Sequence, residues 1–133
     1  MTQKHPTPHV PISWGELIDK ITILEIKVER LAAAESRANA SKELALLRAT
    51  AGTVLADNSV IPALTAQLKC VNEALWEIED HIRDKERVGA FDADFIALAR
   101  SVYQRNDTRG RIKREINLAL ASELIEEKSY RPY

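Results

Sequence analysis

Ile12-Ser13-Trp14-Gly15-Glu16-Leu17-Ile18-Asp19-Lys20-Ile21-Thr22-Ile23-Leu24-Glu25-Ile26-Lys27-Val28-Glu29-Arg30-Leu31 is the stretch on which the fold turns. Ser13 and Glu16 have the spacing of a capping box, and Ile12 and Leu17 that of a hydrophobic staple, so a helix is expected to start here. Leu17, Ile21, Leu24, Val28 and Leu31 step by four and three, the seam of a packed bundle helix, with Ile18 widening it. Ile23 and Ile26 fall on roughly the opposite side at 100° per residue. A helix with two apolar stripes must bury both. The first helix is therefore either central in its own domain or part of a subunit interface. Its acids Asp19 and Glu25 lie at the margins of these stripes, in surface ion pairs or facing cations from another helix.

Working outward, the 133 residues are enough for one domain with a sizeable core. Hydrophobic residues are 45% and charged residues 29%, which places the chain among globular and not disordered proteins. Aromatics are only 5%, so the core must be aliphatic. A formal net charge of −1 argues against binding nucleic acid or anionic membranes through whole-molecule charge. The single Cys70 excludes an internal disulfide or a multi-thiolate metal site. No apolar run is long enough to span a membrane, and the N-terminus lacks a signal-peptide core, so cytoplasmic residence is expected.

Residues 1–12 carry Pro6, Pro8 and Pro11 and predict an extended arm; His5 and His9 there are expected to be solvated. Ser36 to Asn39 reads as the first connection, with Asn39 or Ser41 capping a second helix through Leu44, Leu47 and Ala51 to about Leu55. Asp57-Asn58-Ser59 reads as a break, and Pro62 suits the first turn of a third helix. Leu64, Leu68, Val71, Leu75, Ile78 and Ile82 then repeat the four-three spacing, with Trp76 off the seam and Gly89 ending the helix. Asp92 caps the last helix, which uses Phe95, Leu98, Ala99 and Val102. Counting sevens from Val102 lands on Arg109 and Ile116, which favours one continuous helix to about Glu127 over a break at Asn106-Asp107.

The opening Ile12–Lys27 stretch resembles that of a small bacterial family of unknown function. The family's other marker is similar to Asn106-Asp107-Thr108-Arg109-Gly110-Arg111-Ile112-Lys113-Arg114-Glu115-Ile116-Asn117, followed by Ser122-Glu123-Leu124-Ile125-Glu126-Glu127-Lys128-Ser129-Tyr130. The resemblance covers nearly the whole chain. It implies a bacterial protein and, from relatives joined to repeat or glycosyltransferase-like regions, a link to cell-envelope sugar metabolism. It implies no residue role.

The most suggestive chemistry is a polar band on the last helix. Arg105, Asn106, Arg109 and Lys113 share one face at helical spacing, in a phase that carries apolar residues before and after. Cations on a seam need partners, because an unpaired buried charge costs several kcal/mol (roughly). Asp19 and Glu25 of the first helix, or Glu79 of the third, are the candidates. Left open, the same Arg109, Lys113, Asn106, Arg105, Glu25 and Asp19 would bind a small anion. That arrangement is loosely similar to helical chorismate mutases, an analogy without residue-by-residue support.

Glu16/Asp19, Glu77/Asp80 and Glu123/Glu126 are i,i+3 carboxylate pairs of the kind that hold Mg²⁺ in helical pyrophosphohydrolases, but in the wrong chain order. Nothing marks a nucleophile or a phosphate loop, and neither metal nor cofactor is expected. The run Arg109–Arg114 is locally basic, yet nearby glutamates and the lack of interleaved aromatics disfavour nucleic acid.

The sequence thus predicts an all-α, antiparallel bundle of about four helices, the first and last long. A homodimer is expected because Ile23 and Ile26 lack a partner. The expected role is a non-enzymatic interaction or scaffold module with a protein partner and no membrane contact. A small-anion binder or enzyme is the alternative.

Overall fold

The computed structural model describes residues 2–57 and 60–133. Their regular secondary structure is entirely helical: α1 (Trp14–Arg30), α2 (Ala34–Ala51), the single turn α3 (Val54–Asp57), α4 (Val60–Arg87) and α5 (Ala93–Ala119). The 17-residue α1 is not a long helix, contrary to expectation; α4 and α5, with 28 and 27 residues, are. Asn58 and Ser59, where a break was expected, lie outside the described residues.

Ser13 starts α1 as predicted, its Oγ accepting from the Glu16 amide at 3.1 Å. The reciprocal half of the capping box is absent, because the Glu16 carboxylate turns to Lys113 at 2.7 Å. The first connection is shorter than expected. Arg37, already inside α2, donates to the Leu31 and Ala32 carbonyls at 2.8 and 2.7 Å, so α2 starts at Ala34 without a side-chain cap. These guanidinium bonds satisfy carbonyls that the end of α1 would otherwise leave open.

The seam of α1 faces α2, where Leu17, Ile21 and Leu24 bury Ala40, Leu44 and Ala51. Ile18, on the flank, enters a second cluster with Ile61, Leu64, Leu68 and Val71 of α4 and Ile112 and Ile116 of α5. Trp14 and the α3 residue Leu55 touch both clusters. Hence α1 is the hub, packed on α2, α4 and α5, while α2 packs substantially on α1 alone. The helices form a three-helix core with α2 as a flank, and not a closed ring of four.

The second apolar face of α1 finds its partner within the chain. Ile26 is 1% exposed and, with Ile23, lines a groove against Leu75 and Trp76 of α4. Ion pairs Lys69–Glu29 (2.8 Å) and Arg30–Glu73 (3.3 Å) tie the same two helices at the surface. Ile26 is thus covered within the chain, while Ile23 stays half-buried at the groove.

The buried side chains of α4 stop at Asn72 and those of α5 begin at Ile112. Leu75 packs half-buried at the edge of the core, and beyond it Ile78, Ile82, Phe95, Leu98 and Val102 are only half-buried, along a two-helix arm. At its tip Gly89 takes φ +69°, Asp92 accepts from the Phe95 amide at 3.0 Å, and Lys85 reaches Asp92 at 2.9 Å. The α5 helix is continuous through Asn106–Gly110, as the seam phase predicts. It stops at Ala119, short of Glu127, because Ala121 takes φ 49° and the Ser122 amide folds back to the Asn117 carbonyl at 2.8 Å. The remaining tail runs back along α5, ending with the Tyr133 hydroxyl on Asp107 at 2.7 Å.

Candidate functional site

Asp19 is fully buried at the junction of α1, α4 and α5. It lies one helical position from Ile18, so the flank that reaches the second core also carries a carboxylate inward. Arg109 grips it side-on, Nε to Oδ1 at 3.0 Å and Nη2 to Oδ2. Asn72 donates its amide to Asp19 Oδ1 at 2.9 Å and to the Thr22 hydroxyl at 3.0 Å. Thr22 in turn donates to the Asp19 carbonyl at 2.8 Å. Bidentate, charge-assisted bonds of this kind are the strong ones.

One turn along α5, Lys113 donates to Glu16 at 2.7 Å and to Glu126 of the returning tail at 3.2 Å, and stands 3.9 Å from Asp19. Its side chain is only 7% exposed. Burial pushes its ammonium down, but the bond to Glu16 and the field of Asp19 outweigh that, and its pKa is raised. The bond to Asp19 likewise raises Arg109. Among the described residues no buried side-chain polar atom lacks a partner. The cations that stand in an apolar phase of α5 are thus matched.

The same junction is stitched by backbone. Gly15 donates to Asn117 Oδ1 at 2.7 Å, and Trp14 to Ser122 Oγ at 3.2 Å. A Cβ on Gly15 would run into the Lys113 carbonyl oxygen, so glycine is what lets α1 approach α5. Both stretches that carry the family resemblance, the opening of α1 and the Asn106–Asn117 and Ser122–Tyr130 segments, meet here.

Of the six residues singled out from sequence, Asp19, Asn106, Arg109 and Lys113 come together; Asn106 Oδ1 accepts from Arg109 at a long 3.5 Å. The other two do not join them. Glu25 faces α2 and pairs with Arg48 at 2.7 Å, and Arg105 is exposed. The network also uses Glu16, Thr22, Asn72, Asn117 and Glu126, which sequence reasoning did not assign to it. A polar Asn72 between Leu68 and Leu75 was the available signal for one of them. The Glu16/Asp19 pair, weighed as a metal pair, is occupied by Lys113 and Arg109. Among the described residues no group of three or more His, Cys, Asp or Glu side chains is placed to hold a metal ion. The basic run is matched as well: Arg111 meets Glu115 at 2.7 Å and Arg114 meets Glu127 at 3.5 Å.

Beside the network a groove of about 480 Å³ opens between α1, α4 and α5, floored by Ile23, Ile26 and Leu75 and flanked by Trp76, Glu79 and Arg109. No helix among the described residues is long and apolar enough to cross a membrane. Comparison with the curated proteins and with the solved structures finds no significant match. The model of a family of unknown function, DUF6165, matches residues 8–132, and the chain belongs to that family.

Proposed function

We propose that this is a non-enzymatic helical interaction module, bacterial and cytoplasmic, acting as a homodimer through the distal arm of α4 and α5. The observation that carries the proposal is the contrast within that hairpin. Its proximal half is closed by α1, whereas its distal half has an apolar seam that only two helices cover, and it ends in Val88, Phe91 and Ile96, exposed by 72%, 60% and 57%. Two helices leave such a seam wet. Pairing two arms would complete a four-helix layer of the kind bundles use, the antiparallel four-helix arrangement expected from sequence but reached between copies. A link to cell-envelope sugar metabolism would make the arm a platform for a protein partner of that machinery.

Size-exclusion chromatography with light scattering tests this reading. A dimer at micromolar concentration that Ile96→Ser with Val88→Ser converts to monomer is the expected result. A strict monomer, or a dimer indifferent to those substitutions, would sink it.

The alternative, anion binding by Arg109, Lys113 and Asn106, requires Arg109 and Lys113 to leave Asp19, Glu16 and Glu126. A thermal-shift screen against carboxylates, phosphates and nucleotides tests it; saturable stabilisation by any of them would favour it over the scaffold.

A further inference from the structure

The groove between α1, α4 and α5 has a composition that the interaction reading does not use. On α4, Asn72, Leu75, Trp76, Glu79 and Asp80 line it, and these positions share one helix face. Ile23 and Ile26 of α1 supply an apolar floor. From α5 come Asn106 and Arg109. The sole cation in this lining is Arg109, and its charge is already matched by the fully buried Asp19. The two remaining charged groups are the carboxylates of Glu79 and Asp80. Glu79 has only a solvent-exposed contact to Arg83 at 3.5 Å, and Asp80 has no ion pair at all among the described residues. The groove that converges on an arginine is therefore electrostatically negative.

We infer that this groove binds an organic cation, an alkylammonium or alkylguanidinium group on a short apolar stem. The stem lies along the half-buried Ile23 and Leu75, where it displaces water from apolar surface. The charged head meets the Glu79 and Asp80 carboxylates, and an indole is the aromatic side chain best suited to a cation at its face. The amide oxygens of Asn72 and Asn106 are further acceptors for N–H donors. An anion of the same shape would meet two carboxylates and gain nothing from a guanidinium whose strong side is taken. This reverses the ligand charge that the Arg109/Lys113 band suggests when the band is considered without Asp19.

The indole N–H signals in a ¹H–¹⁵N correlation spectrum of the full chain provide the test, because Trp14 and Trp76 are the only two and a Trp76→Phe variant assigns them. Titration with n-butylguanidinium and n-butylammonium is expected to shift the Trp76 signal saturably and leave Trp14 in place, while n-butyrate shifts neither. The double substitution Glu79→Gln with Asp80→Asn removes only exposed carboxylates and is expected to weaken binding about tenfold with an unchanged spectrum elsewhere. A short peptide carrying one arginine, run beside the free guanidinium, distinguishes the source: tighter binding of the peptide assigns the cation to a polypeptide side chain, and equal binding to a free small molecule. Absence of a saturable Trp76 shift, an equal response to butyrate, or unchanged affinity in the double variant would each overturn the inference.

Discussion

The two halves of the α4–α5 hairpin have the same helical periodicity and different fates. Leu64, Leu68 and Val71 are buried with Ile112 and Ile116, and Leu75 packs at the edge of that cluster, whereas Ile78 and Ile82 of α4 and Phe95, Leu98 and Val102 of α5 stay half-exposed. The cause is length. At 1.5 Å per residue α1 covers roughly 25 Å, and α4 runs roughly 42 Å, so the third helix ends before the hairpin does. A seam is buried only where a third element closes it. Burial then decides what charge can do: in the closed half Arg109 and Lys113 are locked to Asp19, Glu16 and Glu126, and in the open half Glu79 and Asp80 face solvent and the groove.

The largest expected effect lies in the closed half. Arg109→Ala strips the fully buried Asp19 of its two-bond partner and leaves only Lys113, 3.9 Å away, as counter-charge, and is expected to cost about 3 kcal/mol in urea unfolding. Arg109→Lys should recover only part, since an ammonium cannot form the side-on pair. Gly15→Ala comes next: a methyl against the Lys113 carbonyl forces α1 off α5, with an expected loss of about 1–3 kcal/mol by thermal unfolding. Gly110→Ala is its contrast. Its added methyl meets only the flexible end of Lys128 at 3.4 Å, and a gain of about 0.5–1 kcal/mol is expected from helix propensity. Equal losses at both glycines would remove the distinction between a close helix approach and an open one.

Ser13→Ala should cost about 1 kcal/mol through the lost cap alone. The alkaline limb of stability follows from Lys113. Its folded pKa is raised above the ordinary 10.5, so its contribution is complete below that value and lost as pH rises through the higher folded one. Tyr133, raised from 10.0 by its bond to Asp107, titrates in the same window with the same sign, and Tyr133→Phe separates the two. A stability profile flat into that range in the Tyr133→Phe background would refute the role given to Lys113. The smallest effect belongs to the open half: Ile96→Ser should leave monomer stability within about 0.5 kcal/mol, since the side chain is 57% exposed. A large loss there would mean that the arm is closed within one chain after all.

Much of this was readable from residues near one another in sequence. Helix starts at Ser13 and Asp92, the stop at Gly89 and the continuity of α5 through Asn106 all rest on interactions a few positions apart, which spacing reports. The misplaced cations and acids were readable as a mismatch, too. Their pairing was readable only in part: Asp19 and Arg109 were right, while Glu25, at the edge of the other α1 face, went to Arg48. Two candidate acids on one helix differ by which neighbour each face meets, and no local pattern carries that. The end of α5 was overestimated because apolar Leu120 and Leu124 keep a helical phase after the backbone has turned at Ala121.

The sequence by itself determined an all-helical chain, a hub-like first helix with two faces to bury, and charges in need of partners, because propensity, capping and periodicity act within a turn or two. Tertiary structure alone decided that the second face of α1 meets α4, that α2 stays a flank, and that Asp19 neutralises Arg109 across 90 positions. Those outcomes depend on relative helix lengths and on close approach at Gly15, which are properties of packed helices and not of any one of them.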